Sequence, residues 1–276
     1  MSAELPLTGA LREAAGAGPF FGVRLGPAPS GDPRTEGYLP LLELYGPIAA
    51  SGLMAEAAAR EDRAGRLPAD AATPALRARI DTVAAGLGTA EPRVAASLAY
   101  QGLAARLWSL GLGPAALHGQ VPDLRPDGLW WNPDRGAPDD LWLPAPEPPP
   151  GGGPGDPDAV AGRLFGTVLV THLLPLLRAT RAAGRISEAL LWGNAASALA
   201  GTARVLHQWC RATGRREAAD RGLDLTRILL ARPPLRQAGG WRLGPERDFR
   251  RHSCCLYYRV PGGGLCGDCA LHRRPG

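Results

Sequence analysis

The sequence predicts a mainly α protein of the α+β class: a helical body, a small antiparallel β-hairpin element and a short C-terminal segment with chemistry of its own. Three observations predict it. Apolar residues recur at spacings of three and four over long stretches, and two Trp-bearing triplets flank a turn-rich connection. Four of the five cysteines crowd into the last two dozen residues. At 276 residues, 45% of them hydrophobic, the chain can bury a substantial core.

Taken in order, residues 1–45 are rich in Gly and Pro and give weak signals, and helical signals follow as far as about Leu112. Arg93 to Leu110 places Val94, Leu98, Leu103, Leu107 and Leu110 on a helical period, with Pro92 suited to the first turn. Leu129-Trp130-Trp131 and Leu141-Trp142-Leu143, joined by Asn132 to Asp140, predict the β-hairpin. Pro144 to Asp158 is a Pro/Gly tract that suits neither helix nor central strand, so a loop over 144–158 divides the body.

After it comes an apolar run from Leu164 to Leu177, too short to cross a bilayer and expected as a buried helix kinked at Pro175. The next helix carries Ala189, Trp192, Ala196, Leu199, Ala203, Leu206 and Cys210 on one face. Gly193 and Gly201 on it are expected to let another backbone approach. Cys210 lies on that apolar face and reads as a packing residue. A further helix covers Glu217 to Leu230 and ends before Pro233-Pro234. The expected division is a helical body over 1–240 and a C-terminal segment over 241–276.

The formal net charge is +5, and every basic residue other than histidine is arginine. From Gly240 onward seven arginines face three acidic residues, so most of the excess sits beside the cysteines. No nucleic-acid-binding motif accompanies this charge, and no nucleic-acid partner is expected. No secretion signal or transmembrane segment is legible, so the expected compartment is the cytoplasm, where clustered thiols stay reduced.

The cysteines form C-C-x10-C-x2-C: Cys254, Cys255, Cys266 and Cys269, with Pro261-Gly262-Gly263-Gly264 between the halves. Soft sulfur selects zinc or an iron–sulfur cluster. Structural zinc usually uses two spaced pairs, and here only Cys266 and Cys269 have that form. A [2Fe–2S] centre uses four thiolates, and the glycines free the backbone to wrap it. His252 and His272 flank the motif, but four cysteines already complete the coordination. Arg250, Arg251 and Arg259 are placed to offset an anionic cluster or to steer an acidic electron donor.

Arg251-x-Ser253-Cys254-Cys255-Leu256-Tyr257-Tyr258-Arg259, with Cys266-Gly267-Asp268-Cys269, resembles the C-terminal motif of the ferric siderophore reductases, the FhuF-like proteins. Arg93 to Leu98, Leu191 to Ser197 and the Trp-rich hairpin extend the resemblance upstream. The resemblance implies a [2Fe–2S] cluster on Cys254, Cys255, Cys266 and Cys269, and one-electron reduction of a ferric siderophore, hydroxamate type foremost, to release Fe(II). It implies an electron donor such as a ferredoxin or a flavin/NAD(P)H reductase system, and no catalytic side chain beyond the cluster. Trp130, Trp131 and Trp142 are candidates for the siderophore-facing surface. Two alternatives share the cysteine motif: a non-enzymatic iron–sulfur or siderophore-binding protein, and a zinc-stapled interaction module.

Overall fold

A computed structural model describes residues 6–46, 72–149, 155–241 and 249–271. The dominant packing is between two long helices, α4 (Pro92–His118) and α7 (Glu188–Ala212). Both are buried over most of their circumference, which accounts for the many Ala and Gly residues they carry. Trp108 on α4 donates its indole N–H to Ala195 O at 3.1 Å, and Ser109 meets Thr202 at 3.2 Å, so the contact is keyed by hydrogen bonds as well as by shape.

Around this pair lie α1 (Leu7–Ala14), α2 (Leu42–Tyr45), α3 (Pro74–Leu87), α5 (Pro157–Leu164), α6 (Leu174–Ala183), α8 (Arg216–Leu230) and α9 (Leu235–Ala238). Several starts follow from local sequence. Thr73, Asp156 and Ser187 cap α3, α5 and α7 by accepting the backbone N–H three residues on, and Pro stands in the first turn of α3, α4, α5 and α6. Helix α4 runs beyond the predicted Leu110 to His118, ending at Gly119 in the left-handed region. The hydrophobic core is continuous from Leu7 to Phe249 and includes residues on both sides of the 144–158 loop.

The apolar run is helical as expected but not α-helical throughout. Between α5 and α6, Phe165–Leu173 is π-helical, and the α ladder restarts at Leu174 with Pro175 in its first turn. Pro175 has no N–H to give to the preceding turn, and the change of hydrogen-bonding period from π to α falls immediately before it. The continuous helix Pro157–Ala183 is, by length and composition, long and apolar enough to cross a membrane, which corrects the shorter estimate. Val160, Leu164, Val168, Leu173, Leu176 and Leu177 on it are nevertheless buried in the core. Within it His172 is fully enclosed: Tyr45 O–H donates to Nδ1 at 2.7 Å, and Nε2–H donates to Leu124 O.

The predicted hairpin forms from β3 (Trp130–Trp131) and β4 (Leu141–Leu143), antiparallel, with Trp130 opposite Trp142. It belongs to a larger sheet. Strands β1 (Arg24–Leu25) and β2 (Leu39–Pro40) come from the weakly patterned N-terminal stretch and give the order β1-β4-β3-β2, with β1 parallel to β4. Two-residue strands carry too little alternation to be read from sequence. Trp131 and Trp142 are buried in this sheet region, and Trp142 donates to Gly26 O at 2.7 Å while Arg24 stacks over its ring. They are packing residues rather than a substrate surface, and only Trp130 is partly exposed. Buried Arg106 binds buried Asp140 at 2.7 Å and joins α4 to the sheet.

Candidate cluster site

The C-terminal segment is mounted on α7. A second hairpin, β5 (Gly239–Trp241) with β6 (Phe249–Arg251), delivers the chain to the helix, and Arg251 at its end is 1% exposed. The guanidinium donates to Ser253 O at 2.5 Å, to Leu190 O at 3.3 Å and to Asn194 Oδ1. Asn194 in turn donates to Ser97 O at 2.7 Å and Ser97 Oγ at 2.9 Å, and Ser97 Oγ donates to Cys255 O at 2.8 Å. Ser253 Oγ donates to Ala189 O at 2.9 Å. On the other half of the motif, Ser197 donates to Asp268 Oδ2 at 2.5 Å, Arg204 pairs with Asp268 Oδ1 at 2.9 Å, and Arg251 N–H donates to Asp268 O at 3.2 Å. Helices α4 and α7 thus hold both halves of the motif, through buried Ser97, Asn194 and Ser197 and partly exposed Arg204.

Gly193 makes this docking possible. A Cβ there would lie 2.9 Å from Arg251 Nη2 and closer still to Ser253 Oγ, so the approach is made by side chains of the cluster segment rather than by a backbone as expected. Gly201 does not behave as expected. A Cβ there would meet only Arg204 Nη2, at 3.7 Å, so no backbone packs on it.

The four thiols are free. Cys255 and Cys269 are buried, while Cys254 and Cys266 are half-buried. Cys255 Sγ lies 3.5 Å from Cys266 Sγ, which joins the two halves of the motif. Leu256 N–H donates to Cys254 Sγ, and Leu271 N–H to Cys269 Sγ, each at 3.3 Å. The turn after the vicinal pair places Leu256 at φ 69°, a conformation costly for a residue with a Cβ. Gly263 closes the loop between the halves, where a Cβ would stand 2.5 Å from Tyr257 O and 2.8 Å from Val260 O.

Cys255 and Cys266 form a hydrogen-bonded pair. The hydrogen bond from Cys266 holds Cys255 down to about 6 against the effect of burial, with help from the Tyr257 N–H and the Arg251 guanidinium. Cys266 is correspondingly pushed up. Burial raises Cys254, opposed by the Leu256 N–H. Burial also raises Cys210, which is fully enclosed in the core as a packing residue.

These residues fit an anionic cluster. A buried guanidinium requires counter-charge or full hydrogen bonding. Among the described residues the hydrogen bonds of Arg251 go to neutral oxygens, and its Nη1 is buried without a partner. Thiolates ligating iron would supply the missing charge. Cys255 and Cys266 form a pair, and a two-iron centre spreads its four thiolates over two metals.

The other candidates are placed differently. Arg250 is partly exposed on β6. Arg259 is exposed and turned away to Glu91, with contacts of 3.0 and 2.8 Å that offset its charge. His252 is exposed and donates Nδ1–H to Gln237 O at 3.0 Å. Arg242, Arg247, His272, Arg273 and Arg274 lie outside the described residues. Sequence reasoning missed Ser97, Asn194, Ser197, Arg204 and Asp268 as site residues. The available signal was three small polar residues on otherwise apolar helix faces, where burial obliges each to find a partner.

Two family comparisons bear on this arrangement. Residues 251–271 match the FhuF 2Fe-2S C-terminal domain, a span containing all four cysteines and Arg251. Residues 103–239 match the family described as ferric iron reductase FhuF-like transporter, a span that takes in most of α4 and all of α7. Together the two cover more than half of the chain. A search of curated proteins returns no match.

Proposed function

Because the chain belongs to the FhuF-like ferric iron reductase family and carries its 2Fe-2S C-terminal domain, we propose that it is a cytoplasmic ferric siderophore reductase. A [2Fe–2S] cluster is its cofactor, and Cys254, Cys255, Cys266 and Cys269 are its proposed ligands. When bound, the cluster supplies electrons one at a time. The observation that carries the reading is Arg251, a buried cation at the start of the matched domain whose hydrogen bonds among the described residues are all to neutral oxygens.

The chain's own residues do three things. Ser97 and Asn194 fix the Cys255 backbone against the helices and keep water from that side of the thiols. Arg251 offsets negative charge and so favours the reduced state. Cys254 and Cys266, half-buried, set the outward edge of the site close to solvent, where a coordinatively saturated chelate can approach without entering the core.

The substrate's chemistry completes the argument. Hydroxamate oxygens are hard ligands that hold Fe(III) tightly and Fe(II) far less well, so one electron releases the metal and spares the chelator. The reading includes a reducing compartment and an electron donor such as a ferredoxin or a flavin/NAD(P)H reductase system.

The experiment is direct. Anaerobically purified protein should contain iron and sulfide and give an S = 1/2 EPR signal on reduction. Mixed with a ferric tris-hydroxamate, the reduced protein should reoxidise while Fe(II) is trapped by a chelator. A protein that takes up the complex yet stays reduced is a binder, and the reductase assignment is then wrong.

A further inference from the structure

Asp268 is the least expected charge in the cluster segment. It stands between Cys266 and Cys269 and is 6% exposed. Burying a carboxylate is costly, and beside the thiolates of a cluster it sets like charge against like. The fold meets that cost from α7. Ser197 and Arg204 lie two helical turns apart on one face and take one oxygen each. Ser197 Oγ–H donates to Oδ2 at 2.5 Å, and Arg204 Nη1 pairs with Oδ1 at 2.9 Å. The main chain is fixed as well, since Arg251 N–H donates to Asp268 O at 3.2 Å.

Anchoring alone does not require the charge. An asparagine has the same shape, its carbonyl oxygen can accept from Arg204, and its amide can donate to Ser197, whose hydroxyl accepts as well as donates. What the carboxylate adds is one negative charge, and the ion pair has a direction. Its negative end is enclosed between two of the cysteines. Its positive end, Arg204, is 35% exposed on the wall of an open groove that Cys266 also lines.

We propose that Asp268 and Arg204 are positioning residues that act through the cluster to set its reduction potential, the carboxylate holding it down and the guanidinium offsetting part of that effect. The proposal rests on the four cysteines ligating the cluster, as in the reading above. One electron entering the cluster adds one negative charge; Asp268 opposes it, so the electron is handed on with a greater driving force. Arg204, partly solvated, is screened and cancels the carboxylate's field only in part. Buried Arg251 pulls the other way. The two halves of the motif therefore carry opposed charges, a cation beside Cys254 and Cys255 and an anion between Cys266 and Cys269.

The test is an EPR-monitored redox titration of the full chain, purified anaerobically and cluster-loaded. Asp268→Asn should shift the one-electron equilibrium about tenfold or more toward the reduced cluster, a midpoint rise of about 59 mV or more. One unit charge about 12 Å away gives that factor through an effective dielectric of about 20. Arg204→Gln should shift it about threefold or more the other way, and the double variant should fall between the two. Arg204→Lys keeps the cation and should stay within about twofold of wild type. Opposite signs separate this from an anchor, whose loss disturbs the cluster in the same sense whichever partner is removed. Single variants that move together, or do not move, overturn the proposal. If Asp268→Asn does not retain the cluster, the Arg204 variants decide: a lowered midpoint in Arg204→Gln alone supports the pair, and equal midpoints overturn it. A wild-type protein without the S = 1/2 signal sinks the underlying reading, whereas unmoved variants of a loaded protein sink this proposal alone.

Discussion

Replacing Gly193 by alanine sets two known effects against each other, and their sign decides whether the cluster segment is seated as described. In the interior of a helix Gly→Ala ordinarily stabilises by about 1 kcal/mol. At Gly193 the added methyl falls 2.9 Å from Arg251 Nη2 and still nearer to Ser253 Oγ. The serine can rotate away, at the loss of its bond to Ala189 O, worth about 1 kcal/mol. Arg251 cannot follow it, because the guanidinium is enclosed and held by Leu190 O and Asn194. Displacing it forfeits at least one charged hydrogen bond, about 1.5–3 kcal/mol. The net expectation is destabilisation of about 2 kcal/mol, which for a domain of this size is a fall in Tm of roughly 4–8 °C. Thermal unfolding followed by circular dichroism measures it, with hydrogen exchange over 249–271 locating the loss. Gly102→Ala is the control: it lies inside α4 with nothing within 4 Å of the new methyl, and should be stabilising. A Gly193→Ala protein that melts above wild type, as Gly102→Ala should, refutes the seating of Arg251 and Ser253 on α7.

Further outcomes follow from the same geometry. Cys255→Ser should abolish the visible absorbance of the cluster while Cys210→Ala keeps it, and an unchanged spectrum in Cys255→Ser removes that residue from the ligand set. Arg251→Gln takes away the buried cation, and should lower the midpoint potential measured by EPR-monitored titration by on the order of 50 mV; a rise contradicts its electrostatic role. Gly263→Ala drives a methyl into two backbone oxygens, so iron content per chain should fall by half or more, and full occupancy shows that the loop closes otherwise. His172, buried and hydrogen-bonded on both nitrogens, is pushed down to about 4 by desolvation. The unfolded chain takes up this proton near 6.5 and the folded chain does not, so stability is full above 6.5 and is lost as pH falls toward 4. The loss amounts to about 3 kcal/mol. His172→Gln should flatten the pH dependence of urea unfolding in that window, and an unaltered slope means the imidazole is not buried neutral.

Much of the helical body is legible because its period is written in apolar side chains: α4, α7 and α8 begin within a residue or two of where the pattern places them. The cysteine motif is equally legible, because the short turn between its halves brings Cys255 and Cys266 to within 3.5 Å. What escaped are features that depend on distant partners. Strands β1 and β2 are two residues long and exist because β3 and β4 offer edges to pair with. Trp131 and Trp142 look like a surface when read as a cluster of aromatics, yet the sheet and its neighbours enclose them. Ser97, Asn194 and Ser197 read as breaks in apolar faces, and their partners lie 71 to 158 residues away for the bonds to Cys255, Ser97 and Asp268. Gly193 and Gly201 are indistinguishable in sequence, although one faces the cluster segment and the other faces open space.

The backbone donors at the cysteines have a consequence of their own. Leu256 N–H serves Cys254 and Leu271 N–H serves Cys269, in each case two residues after the sulfur. Peptide dipoles cannot be titrated away, and ordinary substitutions leave them in place. Hydrogen bonds to the sulfurs help set a cluster's potential. A share of the redox poise is therefore carried by main-chain geometry, which substitutions among the surrounding side chains leave in place.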